Sequence, residues 1–346
     1  MEFGIWSFGF EHLYGKEKLV SYLFYPGCSL ESTARDYYLS TQAVARALGI
    51  ALPEVPDWIC CGSTPAHQSS DLLALALPAR NLLAARGETV AVCCAACYGR
   101  LKAANHRLAN DAQARADVAA ALHAEYDGST EVKHFLEILG RDLGLARLKA
   151  RVSNPLRGLR VAAYYGCLLT RPHAPHPTLS PGGRGQGEGI DDPENPRLLD
   201  DVLAAAGAEP VEWPHKTECC GASCSITNVE IVHKLCRDIL AMARDAGADC
   251  IATACGMCQI NLDLRQEDIF PGAGRKGLLP VFYFTQLLGL AFGLTPRELG
   301  LRSLVVDPMP LLAEKGILSG DATPHPTLSP VGRGQGEGAA ASTRMG

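Results

Sequence analysis

The feature that most constrains this chain is a repeat built around cysteines. Each half carries, in the same order, an aromatic-Gly-Cys segment, a Cys-Cys-Gly triplet, a Cys-x2-Cys pair and a closing segment rich in Phe and Leu. The repeated cysteines are Cys28, Cys60, Cys61, Cys94 and Cys97 in the first half, and Cys167, Cys219, Cys220, Cys255 and Cys258 in the second. Because the same four sequence features occur in the same order in both halves, they indicate an internal duplication. We therefore expect two related domains.

Short apolar runs alternate with helical patterns in both halves. Buried strands are expected at Tyr22–Tyr25, Val90–Val92, Arg160–Tyr164 and Cys250–Thr253. The closing segments, His134–Gly140 and Tyr283–Gly289, are expected to be helices. This alternation predicts the α/β class, with a short, mostly parallel sheet in each domain. Because the cysteines follow strand ends, where open α/β sheets bind ligands, a cysteine-lined site is expected in each domain.

The expected organisation is an N-terminal extension, two domains and a C-terminal segment, over residues 1–19, 20–150, 151–300 and 301–346. A nearly identical Gly- and Pro-rich segment occurs at 175–189 and again at 324–338. Such a composition cannot bury enough apolar surface to fold. We therefore expect disorder over 172–192 and from about residue 320.

Charge and composition exclude several classes of protein. The net charge of −5 does not provide the basic face that nucleic-acid binding requires. No apolar run reaches the ~18 residues needed to cross a bilayer, and the first residues do not resemble a signal peptide. The expected location is the cytoplasm, where thiols stay reduced. No G-x-G-x-x-G segment opens a helix after a strand, so neither NAD nor flavin is expected in this chain.

Three chemistries compete for the repeated cysteines. Structural zinc takes four tetrahedral ligands, and adjacent cysteines fit one small ion poorly. Permanent disulfides are disfavoured in a reducing compartment. An iron–sulfur cluster contains several irons, so neighbouring thiolates can bind different metal atoms, although four cysteines are the usual number. The pattern favours an iron–sulfur cluster with an unusual fifth cysteine.

The doubled Cys…Cys-Cys-Gly…Cys-x2-Cys pattern resembles the CCG cysteine-rich domain, which occurs twice in the B-type subunit of heterodisulfide reductases. The phrase Pro280–Gly289 is also similar to that protein. The resemblance implies two non-cubane [4Fe-4S] clusters, each held by five cysteines, with a disulfide cleaved between them. By position, the first cluster would be bound by Cys28, Cys60, Cys61, Cys94 and Cys97, and the second by Cys167, Cys219, Cys220, Cys255 and Cys258.

The same resemblance implies an oxidoreductase acting on sulfur groups within a larger complex. Its partners would be a ferredoxin-like iron–sulfur subunit and a flavin subunit, and its substrate a small disulfide. Neither nucleic acid nor direct membrane insertion is expected. Two alternatives remain open: an electron-relay subunit of a lactate- or glycolate-oxidising complex, and a structural scaffold that binds zinc.

Several cysteines and histidines stand outside the repeated set. Cys94 is preferred over its neighbour Cys93 as a ligand because only Cys94 forms Cys-x2-Cys with Cys97. The cysteines left over, which are expected to be small buried side chains, are Cys93, Cys224, Cys236 and Cys250. Histidine titrates near neutral pH and could protonate a leaving thiolate; the candidates are His67, His215 and His233.

Overall fold

The computed structural model describes residues 20–63, 66–171, 189–274 and 277–318. The N-terminal extension 1–19 and most of the segments expected to be disordered, 172–188 and 319–346, lie outside the described residues. Residues 189–192, the end of the first such segment, are structured: the Asp191 carboxylate accepts hydrogen bonds from the backbone N–H groups of Arg197 and Leu198.

Strands and helices alternate through both halves. The strands are β1 (Val20–Ser21), β2 (Leu23–Tyr25), β3 (Ile50–Ala51), β4 (Val90–Val92), β5 (Val132–His134), β6 (Arg160–Tyr164), β7 (Glu209–Pro210), β8 (Cys250–Thr253) and β9 (Val281–Tyr283). The helices are α1 (Gly27–Glu31), α2 (Arg35–Ala47), α3 (Ala66–Ser69), α4 (Asp71–Ala84), α5 (Ala95–Asn110), α6 (Ala112–Leu122), α7 (Phe135–Glu137), α8 (Leu145–Arg151), α9 (Cys167–Thr170), α10 (Leu198–Ala205), α11 (Val229–Asp245), α12 (Gly256–Leu264), α13 (Gln266–Ile269), α14 (Phe284–Ala291) and α15 (Met309–Glu314). A π-helical segment covers Ile138–Gly144, and 3-10 turns cover Ala222–Cys224 and Leu301–Ser303.

The two halves build equivalent parallel sheets. The second half has the strand order β7-β6-β8-β9, and every neighbouring pair is parallel. In the first half β2, β4 and β5 form the matching core, while β3 pairs with β1 beside it. The Tyr22 N–H donates to the Ala51 carbonyl at 3.1 Å, so β3 occupies the edge that β7 occupies in the second half. The predicted α/β class and duplication are confirmed.

The closing segments differ from the prediction at their first residues. His134 and Tyr283 end the strands β5 and β9, and the helices begin one residue later. His134 caps its helix in two ways: its backbone N–H donates to Glu137 and its ring Nδ1 accepts from the Leu136 N–H. A three-residue strand that runs directly into a helix has too few residues to display a period of its own, so the helical pattern concealed it.

Helices from opposite halves pack on each other reciprocally. The helix α1 of the first half contacts α12 of the second, and α9 of the second half contacts α5 of the first. Each contact joins the helix that carries the first cysteine of one half to the Cys-x2-Cys helix of the other. The helices α2 and α14 also pack together, and the Ser40 and Thr285 hydroxyls lie 2.7 Å apart between them. We call this contact region between the halves the seam.

Within the described part of the chain, no helix combines the length and the apolar character that crossing a membrane requires.

Candidate metal centre

The first cysteine group gathers at the carboxyl ends of β2 and β4. Cys28 lies in α1, directly after β2. Cys94 is the N-cap residue of α5, two residues after β4 ends, and Cys97 lies in the first turn of that helix. The Cys61 and Cys97 Sγ atoms are 3.3 Å apart. The backbone N–H of Gly62 donates to the Cys60 Sγ at 3.5 Å. Burial, followed by the charges of Cys97, Cys61, Cys60 and Cys28, raises the pKa of the buried Tyr25.

The second cysteine group repeats this arrangement after β6 and β8. The Cys220 and Cys258 Sγ atoms are 3.6 Å apart, and the Gly221 N–H donates to the Cys219 Sγ at 3.3 Å. Burial, followed by the charges of four surrounding cysteines, raises the pKa of Tyr164, the counterpart of Tyr25. Those cysteines are Cys258, Cys220, Cys167 and Cys219. The structure thus gathers the predicted positions into two matching groups.

Hydrogen bonds between sulfur atoms link the cysteines within each group. In the first group the Cys97 thiol forms hydrogen bonds with both Cys61 and Cys94. These hydrogen bonds raise the pKa of Cys97 and help to lower the pKa values of Cys61 and Cys94. In the second group the pKa of Cys258 is raised by its hydrogen bonds with Cys220 and Cys255. Such chains of thiols and thiolates supply the deprotonated sulfur that metals bind.

A glycine precedes the first cysteine of each group and permits its close approach. A Cβ on Gly27 would lie 2.9 Å from the Cys97 Sγ, and a Cβ on Gly166 would lie 3.0 Å from the Cys258 Sγ. Both glycines have positive φ, +66° and +68°, which L side chains rarely adopt. A side chain at either position would therefore intrude on the sulfur atoms.

The loop that carries the Cys-Cys pair is held in each half by hydrogen bonds. One of these bonds, from a tyrosine hydroxyl, occurs in both halves, and the others differ between the halves. Tyr25 donates to the Ile59 carbonyl and Tyr164 to the Glu218 carbonyl, both at 2.7 Å and both immediately before the Cys-Cys pair. The first loop is also held by Asn81 of α4, whose amide bonds both backbone groups of Ile59. Sequence analysis singled out neither the tyrosines nor Asn81, although the repeat does align Tyr25 with Tyr164.

A buried ion pair holds the second loop. Lys216 Nζ lies 2.7 Å from Asp200 Oδ1, with only 4% and 6% of the two side chains exposed. The Tyr165 hydroxyl donates to the same carboxylate at 2.8 Å. The Lys216 carbonyl accepts from the N–H groups of Tyr165 and Gly166, so this network joins the loop before Cys219 to the loop before Cys167.

The cysteines outside the repeated set take no part in the sulfur–sulfur contacts of 3.3 and 3.6 Å. Cys93, Cys236 and Cys250 are buried and Cys224 is half-buried. The Cys93 Sγ faces the Thr41 hydroxyl at 3.4 Å, and burial raises its pKa to about 12. The hydrogen bond with the Cys97 thiol is formed by the neighbouring residue, Cys94.

Two of the three histidine candidates have a buried ring nitrogen. The His215 Nδ1 and His233 Nε2 atoms are buried without a hydrogen-bond partner in the described part of the chain. The side chain of His67 lies outside what the structure describes. A role in proton transfer for these residues stays a prediction.

The donor set fits a cluster of several irons better than a single ion. All fourteen cysteines are free thiols. In the described ranges no set of three or more His, Cys, Asp or Glu side chains has the geometry to hold a single metal ion. The sulfur atoms instead form touching pairs beside glycines that leave space near them. Neighbouring thiolates arranged in this way can bind different irons of one cluster.

The fold and the two sulfur groups define a duplicated α/β protein with one cysteine-rich site in each half. The family model of the CCG cysteine-rich domain matches residues 22–102 and 161–263. The chain belongs to the family of heterodisulfide reductase B-type subunits, which carry this domain twice.

Characterised relatives align with almost the whole of their own length. The chain is 32% identical to the 8-methylmenaquinol:fumarate reductase membrane anchor subunit of Wolinella succinogenes, over 83% of this chain and 97% of that protein. It is 31% identical to the B-type subunit of the ferredoxin:CoB-CoM heterodisulfide reductase of Methanosarcina mazei, over 83% and 94%. A protein of Archaeoglobus profundus that is similar to the same subunit is 28% identical over 81% and 93%.

A solved structure shares the fold. The crystal structure of a hypothetical protein from Helicobacter pylori superimposes with a TM-score of 0.63 at 11% sequence identity, covering 84% of this chain. The chain spans about half the length of that protein, 53%. At this identity the likeness concerns the fold alone.

Proposed function

We propose that this chain is the iron–sulfur subunit of a heterodisulfide reductase-like complex, which reduces or forms a disulfide at two non-cubane [4Fe-4S] clusters. The observation that carries the proposal is the matched pair of sulfur groups, with Cys61–Cys97 at 3.3 Å in one half and Cys220–Cys258 at 3.6 Å in the other. Both groups lie at strand ends, where α/β proteins bind ligands. The membership in the heterodisulfide reductase family supports the same activity.

The chain's own residues would hold two clusters in similar surroundings. The first would be bound by Cys28, Cys60, Cys61, Cys94 and Cys97, and the second by Cys167, Cys219, Cys220, Cys255 and Cys258. When bound, such clusters supply one-electron chemistry and iron sites that bind sulfur. The exposure of Cys28, Cys60 and Cys219 leaves both groups open to a small disulfide. Gly27 and Gly166 keep side chains away from the sulfur atoms.

Electrons would come from partner subunits in the same cytoplasmic complex. The partners would be a ferredoxin-like iron–sulfur subunit and a flavin subunit, as the family implies. Cleaving a disulfide to two thiols consumes two electrons and two protons. Two clusters in one chain, each of which would carry one electron, would supply the two electrons that this cleavage consumes.

The test is metal analysis combined with EPR on the chain purified without oxygen. We expect about eight irons and eight sulfides per chain, because each [4Fe-4S] cluster contains four of each. A paramagnetic signal should appear when the oxidised protein is treated with a thiol. Cys97→Ser or Cys258→Ser should each remove about half of the iron. Cys250→Ala, at a buried cysteine outside both groups, is the matched control and should retain all of it. Zinc without sulfide would contradict the proposal and favour the structural scaffold.

The Wolinella relative supports a second candidate, because its name places it in a fumarate reductase. In that case the chain would only relay electrons within a complex whose chemistry occurs on another subunit, as in the lactate- or glycolate-oxidising alternative. The EPR experiment separates the two functions. Loaded clusters whose spectrum does not respond to any thiol would favour the relay.

A further inference from the structure

Two tyrosines stack face to face across the seam. The rings of Tyr37, on α2 of the first half, and Tyr283, at the end of β9 in the second half, are parallel within 5° and 4.1 Å apart. Both side chains are completely buried. Their rings therefore have fixed positions where the two halves meet.

The Tyr37 side of the stack lies next to the first cysteine group. One helical turn beyond Tyr37, the Thr41 hydroxyl lies 3.4 Å from the Cys93 Sγ. Cys93 precedes Cys94, the N-cap residue of α5. The face of α2 that carries Tyr37 thus packs against the end of β4.

The Tyr283 side of the stack lies next to the second cysteine group. A Cβ added to Gly256 would be 4.0 Å from the Tyr283 hydroxyl, and Gly256 directly follows Cys255. A Cβ on Gly256 would also lie 3.3 Å from the Cβ of Ala34, which is three residues before Tyr37 at the start of α2. Burial, followed by the charges of Cys93, Cys255, Tyr283 and Cys94, raises the pKa of Tyr37. Tyr37 is thus packed between the cysteine loops of both halves.

The two hydroxyls differ in their hydrogen bonding. The Tyr283 hydroxyl donates to the Gln259 Oε1 at 3.3 Å. The Tyr37 hydroxyl is buried and has no partner at hydrogen-bond geometry among the described residues. Burial raises the pKa of Cys93, and the nearby Tyr37 side chain opposes that rise only in part, without forming a well-aligned hydrogen bond to the thiol. A buried hydroxyl without an acceptor is costly, so its position indicates that an acceptor belongs beside it.

We propose that the Tyr37 hydroxyl donates a hydrogen bond across the seam to a sulfur atom of the cluster held at Cys255. The inference rests on the proposed function, since it requires that cluster. Tyr37 is then a positioning residue that the first half supplies to the site of the second half. A hydrogen bond to a cluster sulfur withdraws charge from it and favours the reduced state, which raises the reduction potential.

The experiment is a redox titration, followed by EPR, of the full chain purified without oxygen. Tyr37→Phe keeps the ring stack and removes only the hydroxyl, so one of the two midpoint potentials should shift to a more negative value. Tyr283→Phe is the matched control, because it removes the hydroxyl on the other side of the stack, which already has Gln259 as its partner. We expect it to leave both potentials in place. The shifted midpoint should be the one that disappears in Cys258→Ser.

A second variant guards against a simple structural effect. Replacing Tyr37 by 3-fluorotyrosine keeps the hydroxyl and makes it a stronger donor, so the same midpoint should shift to a more positive value. If the chain carries its clusters and neither change at position 37 moves a midpoint, the Tyr37 proposal is overturned while the proposed function stands. If the unaltered chain contains no iron and sulfide, both proposals are overturned.

Discussion

The side-chain amide of Asn81 bonds both backbone polar groups of Ile59. Its Oδ1 accepts from the Ile59 N–H at 2.8 Å, and its Nδ2 donates to the Ile59 carbonyl at 3.1 Å. Ile59 immediately precedes the Cys60–Cys61 pair, and Asn81 is buried in α4. One side chain thus fixes the loop that presents two cysteines of the first group.

Asn81→Leu should lower the free energy of unfolding by about 1–3 kcal/mol, because the part-buried N–H of Ile59 loses its hydrogen-bond partner. Urea unfolding followed by circular dichroism measures the change. Asn110→Leu is the matched control: Asn110 is exposed at the end of α5, and its side chain donates to the His106 carbonyl of the same helix. A control variant that is destabilised as much as Asn81→Leu would contradict the assignment.

Lys216→Met should destabilise the protein by about 3–5 kcal/mol, because it leaves the buried Asp200 carboxylate without its cation. Adding Asp200→Asn should recover part of the loss, since the amide keeps a polar contact with Tyr165 but carries no charge. Unfolding measurements on the single and double variants provide the comparison. A double variant less stable than Lys216→Met would show that the ion pair is not the cause.

The buried carboxyl of Asp36 predicts a pH dependence. Burial raises its pKa from 3.8 to about 6, although its hydrogen bond from Gln286 opposes the shift. The folded state therefore binds this proton more tightly than the unfolded chain does. The associated stability is fully present below pH 3.8 and is lost as the pH rises through 6.

Asp36→Asn removes that titration and should gain stability relative to the unaltered chain as the pH rises from 4 to 7, by about 3 kcal/mol in total. Unfolding curves across this pH range give the difference directly. A flat profile for Asp36→Asn over this pH range would refute the buried-carboxyl explanation.

Gly27→Ala and Gly166→Ala should each lower the iron content by about half, if each half holds one cluster. The new Cβ would lie about 3 Å from a cysteine sulfur in both variants. Gly158→Ala separates this clash from backbone strain, because Gly158 has a similar φ of +74° and nothing within 4 Å of an added Cβ. Equal iron loss in all three variants would mean that strain alone is responsible.

The repeat made much of the fold and of the candidate site predictable. The strands expected at Val90–Val92, Arg160–Tyr164 and Cys250–Thr253 have those bounds in the structure. Parallel strands buried on both faces are continuous apolar runs, which are easy to recognise. The grouping of the cysteines also followed from their order, because the carboxyl ends of adjacent parallel strands share one edge of a sheet. Their role as cluster ligands stays a prediction.

The supporting contacts could not be predicted from the sequence for a physical reason. Asn81 and the Lys216–Asp200 pair fix equivalent loops by different chemistry, so comparing the halves with each other does not reveal them. The stack of Tyr37 on Tyr283 joins residues far apart in the chain and depends on how the halves pack. A sequence period describes one element at a time and carries no information about such packing.

The reciprocal packing of α1 on α12 and of α9 on α5 has a consequence for the origin of the molecule. A single ancestral repeat would have lacked the partner helix beside its first cysteine, and two identical copies related by a two-fold axis would have supplied it to each other. Such an ancestor would have been an obligate homodimer. Joining two such copies in one chain would make their association independent of protein concentration. The two copies would then no longer have to be identical, and their Cys-Cys loops could be held by different side chains.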